Sequence, residues 1–317
     1  MENNESKIVI GTWSWGVGGF AGGNIVFGNN LNSPELTSVF NKAINSGLNV
    51  FDTAFAYANG ESERILGELI NKYDRNQIII SDKFTPGMEN NEVSNPLMEM
   101  LEGSLERLGT DYIDIYWIHN AADIEKWTPL LIDAVNSGKV KRIGVSNHSL
   151  EQLKRVEEIL LPAKIKVTAV QNHFSLLYRK SIEEGLLEYC KENNIDFFSY
   201  MVLEQGALSG KYDENHLLPA ESNRGKKYNS IFPKIEELLS KLKDIGSKNN
   251  QATAAQVAAA WAIWKGTIPI LGITKEEQVE EASKIINLRV TEKDYLELEE
   301  LATNSNVDTF GGWEGNS

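Results

Sequence analysis

Hydrophobic and polar positions follow two alternating regimes along the chain. Short apolar runs, dense in Ile, Val, Leu and Phe, occur at residues 8–12, 48–52, 77–83, 112–119, 140–146, 166–171, 195–200 and 267–272. Between them lie stretches in which apolar residues return every three or four positions, the signature of a helix with one buried face. The spacing of Leu97, Leu101, Leu105 and Leu108 predicts a helix over 96–107, and Leu150, Leu153, Val156 and Leu160 predict another opening at Ser149, with Gln152 completing a capping box. Ser33-Pro34 marks a third helix start, a cap residue followed by proline at the first helical position. Further helices are expected over 62–72, 125–136, 181–193 and 275–287, as a pair at 234–249 and 253–265, and from the cap-like Thr291-x-x-Asp294. A polar loop is expected over 213–230, and the tail from 303 is rich in Gly and Asn. Eight strand-then-helix units imply a parallel sheet, and eight is the number that closes a (β/α)8 barrel. The expectation is α/β, a TIM barrel formed as one domain over residues 1–317.

Composition narrows the function classes. A hydrophobic share of 41% in 317 residues supports a large core. The net charge of −14 and pI near 4.9 argue against nucleic acid or an anionic membrane as partner. One cysteine, Cys190, excludes a disulfide framework and reads as a small packed residue. His119, His148, His173 and His216 have no zinc-ligand spacing, so no metal is expected, and His173 reads as structural. The polar start MENNESK has no signal-peptide core, and the apolar runs fall short of the roughly 20 residues of a membrane span. These features give the expectation of a soluble, cytoplasmic protein. Oligomeric state is unreadable. Gly16-Val-Gly18-Gly19-Phe-Ala21 mimics a dinucleotide fingerprint, but no helix opens after it and the next Asp, Asp52, is too distant. It reads as a loop over the barrel mouth.

The chemistry gathers at the strand ends. Asp52 closes the second apolar run, with Tyr57 in the loop beyond; Lys83 ends the third and His119 the fourth. In a parallel barrel these ends share one face, where catalytic residues collect. A free Tyr, with a pKa near 10, is a poor acid at neutral pH. A neighbouring ammonium is expected to lower that value, a carboxylate to keep the Lys charged, and a neutral His to hold a substrate oxygen. Such a set suits protonation of an oxygen turning into an alkoxide, as carbonyl reduction requires. Taken singly, each residue has an ordinary structural explanation; the four together point to proton chemistry.

These residues also carry a resemblance to the aldo-keto reductase family, NAD(P)H-dependent oxidoreductases on a (β/α)8 barrel, and it extends over nearly the whole chain. FDTAFAYANGESERILGELI resembles the family's signature around its catalytic Asp and Tyr, and Lys83 and His119 stand where the rest of its tetrad stands. The resemblance implies that Tyr57 is the general acid, Lys83 its pKa-lowering partner, Asp52 the support of Lys83, and His119 the group that orients the carbonyl. It implies that Gly11, Thr12, Trp13 and Asp52 border the cofactor, that Ser146, Asn147 and Gln171 bind the nicotinamide carboxamide, and that Tyr200 stacks on its ring. Leu203, Gln205, Gly206, Leu208 and Lys211 correspond to a pyrophosphate loop. In IPILGITKEEQVEEA, Gly272 leads into Thr274 and Lys275, implied for a 2′-phosphate, with Gln278 and Glu281 near adenosine. The implied cofactor is NADPH, with NADH second. The chain departs from the family in Tyr200-Met-Val-Leu203, in Ala282 where an Asn near adenine is usual, and in its very short N-terminal lead.

The expected activity is reduction of a small-molecule aldehyde or ketone. Candidate pocket walls are Trp13, Trp15, Phe20, Phe27, Phe55, Phe84 and Trp313; each has an ordinary packing role as its alternative. Two rivals remain: a cofactor-sensing subunit with little turnover, and a lyase that forms a Schiff base on Lys83, which needs Lys83 neutral.

Overall fold

The computed structural model describes residues 5–311. Eight strands, β1 Val9–Gly11, β2 Val50–Asp52, β3 Ile79–Phe84, β4 Ile113–Ile118, β5 Val140–Ser146, β6 Ala169–His173, β7 Asp196–Tyr200 and β8 Ile268–Gly272, form a closed barrel in sequence order. All neighbours are parallel, and β1 closes the ring by pairing with β8 through Gly11 opposite Gly272. The TIM-barrel expectation from the eightfold alternation holds.

The main helices are α1 Ser33–Asn45, α2 Glu61–Ile70, α3 Pro96–Leu108, α4 Leu131–Asn136, α5 Leu150–Leu160, α6 Leu186–Glu192, α7 Glu236–Lys248, α8 Ala254–Trp264, α9 Glu276–Lys284 and α10 Glu292–Asn304. Their starts follow local side-chain chemistry. Ser149 and Thr253 form capping boxes with Gln152 and Gln256, satisfying backbone N–H groups that a helix start leaves open. At α1 the cap is Asn32, boxed with Glu35, so Ser33 is the first helical residue instead of the cap.

Other differences have equally local causes. The helix expected over 125–136 is interrupted at Thr128–Leu130, where Pro129 lacks the N–H that an unbroken helix would use. The one expected over 181–193 breaks at Gly185, which takes φ +75°. β6 lies later than expected, although Thr168 just before it already bonds both neighbours, its N–H to the Ile143 carbonyl and its carbonyl to the Asp196 N–H, each at 3.0 Å. The polar loop after 213 folds in part into a short helix, Asn223–Tyr228.

Strand alternation sorts the core into two layers. Val9, Val50, Ile115, Trp117, Ala169 and Phe198 fill the barrel interior, whereas the larger cluster lies between strands and helices. Along β3, Ser81 and Lys83 face inward while Ile80, Asp82 and Phe84 face the helices. Trp117 is the largest interior side chain. It fits because Gly144, its partner on β5, has none: a Cβ there would lie 2.3 Å from the indole. The indole Nε1 donates to Ser81 Oγ at 2.7 Å, tying this packing to the layer above.

Gly144→Ala is therefore expected to destabilise the fold by about 1–3 kcal/mol, the usual cost of overpacking, in urea unfolding. Turnover should fall with it, because the indole can move only by disturbing Ser81.

Candidate active site

The strands deliver the four residues to one mouth. Asp52 is the last residue of β2, Lys83 lies one residue inside the end of β3, and His119 follows β4 directly. Asp52 and Lys83 thus belong to strands and are held by the ladder, as the runs 48–52 and 77–83 implied, whereas His119, expected to end the fourth run, lies one residue beyond its strand. Tyr57 opens a tight turn in which Ala58 and Asn59 take φ +52° and +53°.

Lys83 is fully buried and Asp52 only 2% exposed. The ammonium uses all three of its protons: on Asp52 Oδ1 at 2.5 Å, on the Thr53 carbonyl at 2.8 Å and on the Tyr57 hydroxyl at 3.3 Å. Asp52 Oδ2 accepts from Ser81 Oγ at 2.6 Å and from Gln171 Nε2 at 2.8 Å. Burial opposes the ammonium, but Asp52 and Tyr57 outweigh it and raise the Lys83 pKa. Lys83 therefore stays charged, without the free amine that a Schiff base needs. Asp82, next to it, points the other way, towards Glu63. Burial and that carboxylate lift its pKa well above the ordinary range.

The pKa of Tyr57 departs from expectation. Burial raises it above the ordinary phenol value, and the Lys83 ammonium pulls it back without cancelling that effect. Tyr57 is thus a protonated phenol at neutral pH, held beside a cation that stabilises the phenolate left after proton loss. Burial and the Lys83 charge hold His119 well below the ordinary histidine value, so its ring is neutral. Its Nδ1 lies 3.0 Å from Thr85 Oγ1, and its ring meets that of Tyr57 edge-on at 5.9 Å.

Many of the residues expected around the cofactor lie at the C-terminal ends of β5, β7 and β8 and in the segments that follow. Asn147, at φ +60°, donates through Nδ2 to the His119 carbonyl at 2.9 Å and to Ser146 Oγ at 3.2 Å, and accepts from the Tyr200 hydroxyl at 2.5 Å. After Tyr200 the chain turns sharply. Met201, Glu204, Gln205 and Gly206 all have positive φ, and each non-glycine residue there costs on the order of 1 kcal/mol. Leu203, Gln205, Gly206 and Lys211 are at least partly exposed in this turn, while Leu208 is buried. Gly272 and Lys275 are exposed at the end of β8. Gln278 Oε1 accepts from the Thr274 and Lys275 N–H groups at 2.8 and 3.0 Å, and the Glu281 carbonyl accepts from Gln256 Nε2 at 2.8 Å.

Some expected residues are engaged elsewhere. Thr12 is fully buried, with its hydroxyl on the Asp52 carbonyl at 3.0 Å, so it supports the site from beneath. Gly11 pairs with Asp52 and Gly272 in the sheet. Trp13 stacks on Tyr57 at 6.0 Å, and Phe27 meets Trp13 edge-on at 5.3 Å, so both border the mouth. Trp15 and Phe84 do not. Trp15 is fully buried with its indole N–H on the Ile273 carbonyl, and strand alternation turns Phe84 onto Trp127 on the helix side. Phe55 is half-buried under the Arg107 guanidinium, Phe20 is 69% exposed, and Trp313 lies outside the described residues.

Three residues escaped the sequence reading. Ser81 bridges Trp117 to Asp52, and the two-residue spacing from Lys83 was the available signal. Arg224, beyond the strained turn, donates to the Gln205 carbonyl at 3.4 Å, and its buried Nε has no partner among the described residues. Glu204 is fully buried beside His173; a lone acid after Met201-Val-Leu203 was its only trace.

His148, next to Asn147, is 1% exposed, and its Nδ1 lies 2.8 Å from the Ser146 carbonyl. Burial pushes its pKa down to about 4, although the bond to Ser146 works the other way. As pH falls below about 6.5 the unfolded chain takes up this proton and the folded chain does not, so stability falls with pH until the folded value is reached. The loss from His148 is expected to reach about 3 kcal/mol near pH 4. Urea unfolding across pH 7 to 4 should show it, and His148→Asn, which keeps a donor for Ser146, should flatten the slope.

A model described as the Aldo/keto reductase family matches residues 7–303. The chain is 30% identical over 318 residues to a chloroplastic pyridoxal reductase of Arabidopsis thaliana, covering 95% of this chain and 84% of that one. It is 28% identical to aldo-keto reductase YhdN of Bacillus subtilis, with 96% and 92% covered. The solved thermostable aldo-keto reductase Tm1743, in complex with the inhibitor epalrestat, superposes with a TM-score of 0.72 at 25% identity, over 93% of this chain and 95% of that one. The joined strand ends, the closed eightfold barrel and these matches agree: the chain belongs to the aldo/keto reductase family and is an NAD(P)H-dependent oxidoreductase.

Proposed function

We propose that the protein reduces an aldehyde or ketone to an alcohol, with NADPH preferred over NADH and Tyr57 as the general acid. The observation that carries this reading is the fully satisfied Lys83–Asp52 pair with the Tyr57 hydroxyl as the third acceptor of the ammonium.

The rim fits a nicotinamide cofactor by its donor set. Asn147 Oδ1 keeps a second lone pair for a carboxamide donor. The Tyr200 ring offers a stacking face, and the unpartnered Arg224 Nε beside the 203–211 turn suits a diphosphate. Thr274 and Lys275 are the groups we assign to a 2′-phosphate, which is the basis for preferring NADPH. When bound, the reduced cofactor supplies a hydride for the carbonyl carbon. The chain's residues manage the oxygen: Tyr57 gives it a proton, Lys83 stabilises the phenolate left behind, and Asp52 holds Lys83 in place with help from Ser81 and Gln171. For His119 we assign the tautomer in which Nδ1 accepts from Thr85 Oγ1, 3.0 Å away, so that Nε2 carries the proton and donates to the substrate oxygen. Trp13 and Phe27 provide a flat aromatic wall. Pyridoxal, the aldehyde in the name of the Arabidopsis relative, is a planar compound of matching character and belongs in the first substrate panel.

Loss of NADPH absorbance with pyridoxal, benzaldehydes and quinones tests the reading, with NADH run alongside. Tyr57→Phe should lower kcat by about 100-fold or more while cofactor affinity holds. Turnover retained in that variant would remove Tyr57 from its role, and tight NADPH binding without turnover of any carbonyl would favour a sensor instead. Thr85→Val, which frees the His119 tautomer, should cost about 1 kcal/mol, or roughly fivefold in kcat.

A further inference from the structure

The strained turn after β7 is organised by one buried carboxylate that the catalytic scheme does not use. Glu204 is fully buried at φ +47°. Among the described residues, four side chains converge on it. His173 Nε2 lies 2.8 Å from Oε1, Thr309 Oγ1 donates to Oε1 at 3.0 Å, Ser175 Oγ donates to the same oxygen, and the Tyr228 hydroxyl donates to Oε2 at 2.8 Å. Burial works against the charge. His173 and the hydroxyls of Ser175 and Tyr228 outweigh it and hold the carboxyl below its ordinary value, so it is an anion.

The donors come from three separate parts of the chain. His173 and Ser175 belong to the end of β6 and its loop, Tyr228 to the short helix of the long excursion after β7, and Thr309 to the segment after α10. Thr309 is itself 1% exposed, and its carbonyl accepts from Lys227 Nζ at 2.7 Å, a second tie between that segment and the excursion. On the other side, the His173 ring stacks against Tyr178 at 4.1 Å and faces Tyr200 at 5.7 Å. One anion thus joins the excursion and the C-terminal segment to the turn that carries Gln205 and Gly206 and to the ring behind Tyr200.

We propose that Glu204 is the positioning residue of the cofactor-binding turn, holding residues 203–211 in their strained geometry through donors from the excursion and the C-terminal segment, so that cofactor affinity depends on Thr309 and Tyr228, neither of which borders the turn in sequence. This rests on the assignment of that turn to the cofactor diphosphate. Glu204 touches none of Asp52, Tyr57, Lys83 and His119, so its loss should appear in binding before chemistry.

The test measures NADPH dissociation constants by quenching of tryptophan fluorescence, with kcat at saturating NADPH and amide exchange across 201–211 in the unliganded protein. Glu204→Gln should raise the dissociation constant about tenfold or more and speed exchange at Gly206 and Leu208, whose N–H groups both bond the Leu203 carbonyl, while kcat stays within about threefold. Thr309→Val should weaken binding about threefold, and Thr309→Ser, which keeps the hydroxyl, should match wild type. A folded Glu204→Gln protein with unchanged affinity and exchange overturns the proposal. If that variant does not fold, Thr309→Val and Tyr228→Phe decide in its place: slower or unchanged exchange with unchanged affinity in both overturns it. A wild type that binds no NADPH is a different failure. It sinks the cofactor assignment, and the exchange measurement still decides whether Glu204 holds the turn.

Discussion

Two opposite charges lie buried inside the barrel, shielded from bulk solvent, and much of the upper barrel is arranged to make that tolerable. Removing an ammonium and a carboxylate from water costs several kcal/mol each, and their attraction offsets this only where every remaining donor and acceptor is satisfied. Lys83 and Asp52 meet that condition through Thr53 and Tyr57 from the loop after β2, Ser81 from β3 and Gln171 from β6. Ser81 in turn is fixed by Trp117, and Trp117 by the missing side chain of Gly144. The Lys83 ammonium thus reaches through hydrogen bonds into the packing of the barrel floor. A buried pair of this kind is a weak source of stability. In the proposed mechanism its value is a proton donor whose phenolate is stabilised as it forms.

The pair also governs its neighbours. Burial, helped by the charge that Lys83 keeps, holds His119 neutral, so it is a hydrogen-bonding group instead of a second cation. Because the site is enclosed, Tyr57 keeps its proton until an acceptor needs it. The sequence reasoning assigned Lys83 the dominant effect on Tyr57. The structure gives that place to burial, a quantity that no spacing along the chain encodes.

Farther from the chemistry, the mouth is built from segments with no regular structure of their own to fix them. The turn after β7 has positive φ at Met201 and again from Glu204 to Gly206, and Asn147 takes the same region beside Tyr200. Side-chain bonds between segments hold these conformations: Asn147 to His119 and Tyr200, and Glu204 to four donors. Strain at the rim is thereby supported by long-range contacts, as expected where a surface must be ready for a ligand.

Residue pattern alone implied the strand and helix alternation, hence the barrel, and the presence of Asp52, Lys83 and His119 at one of its ends, because periodicity and strand direction are local properties that parallel closure converts into a common face. It also held, unread, the two-residue spacing that turns Ser81 towards Lys83 and Phe84 away from it. Helix breaks at Pro129 and Gly185 were legible in residue type but not in outcome, since packing decides whether a break is tolerated. Trp15 and Phe27 look alike in the same loop, yet one is sealed in the core and the other borders the mouth. The partners of Glu204 span more than a hundred residues, and the pKa shifts of Tyr57, Lys83 and His119 arise from burial set against charges brought together from different strands. These features belong to the folded chain alone, because burial and contacts between distant segments come into being when the chain closes on itself.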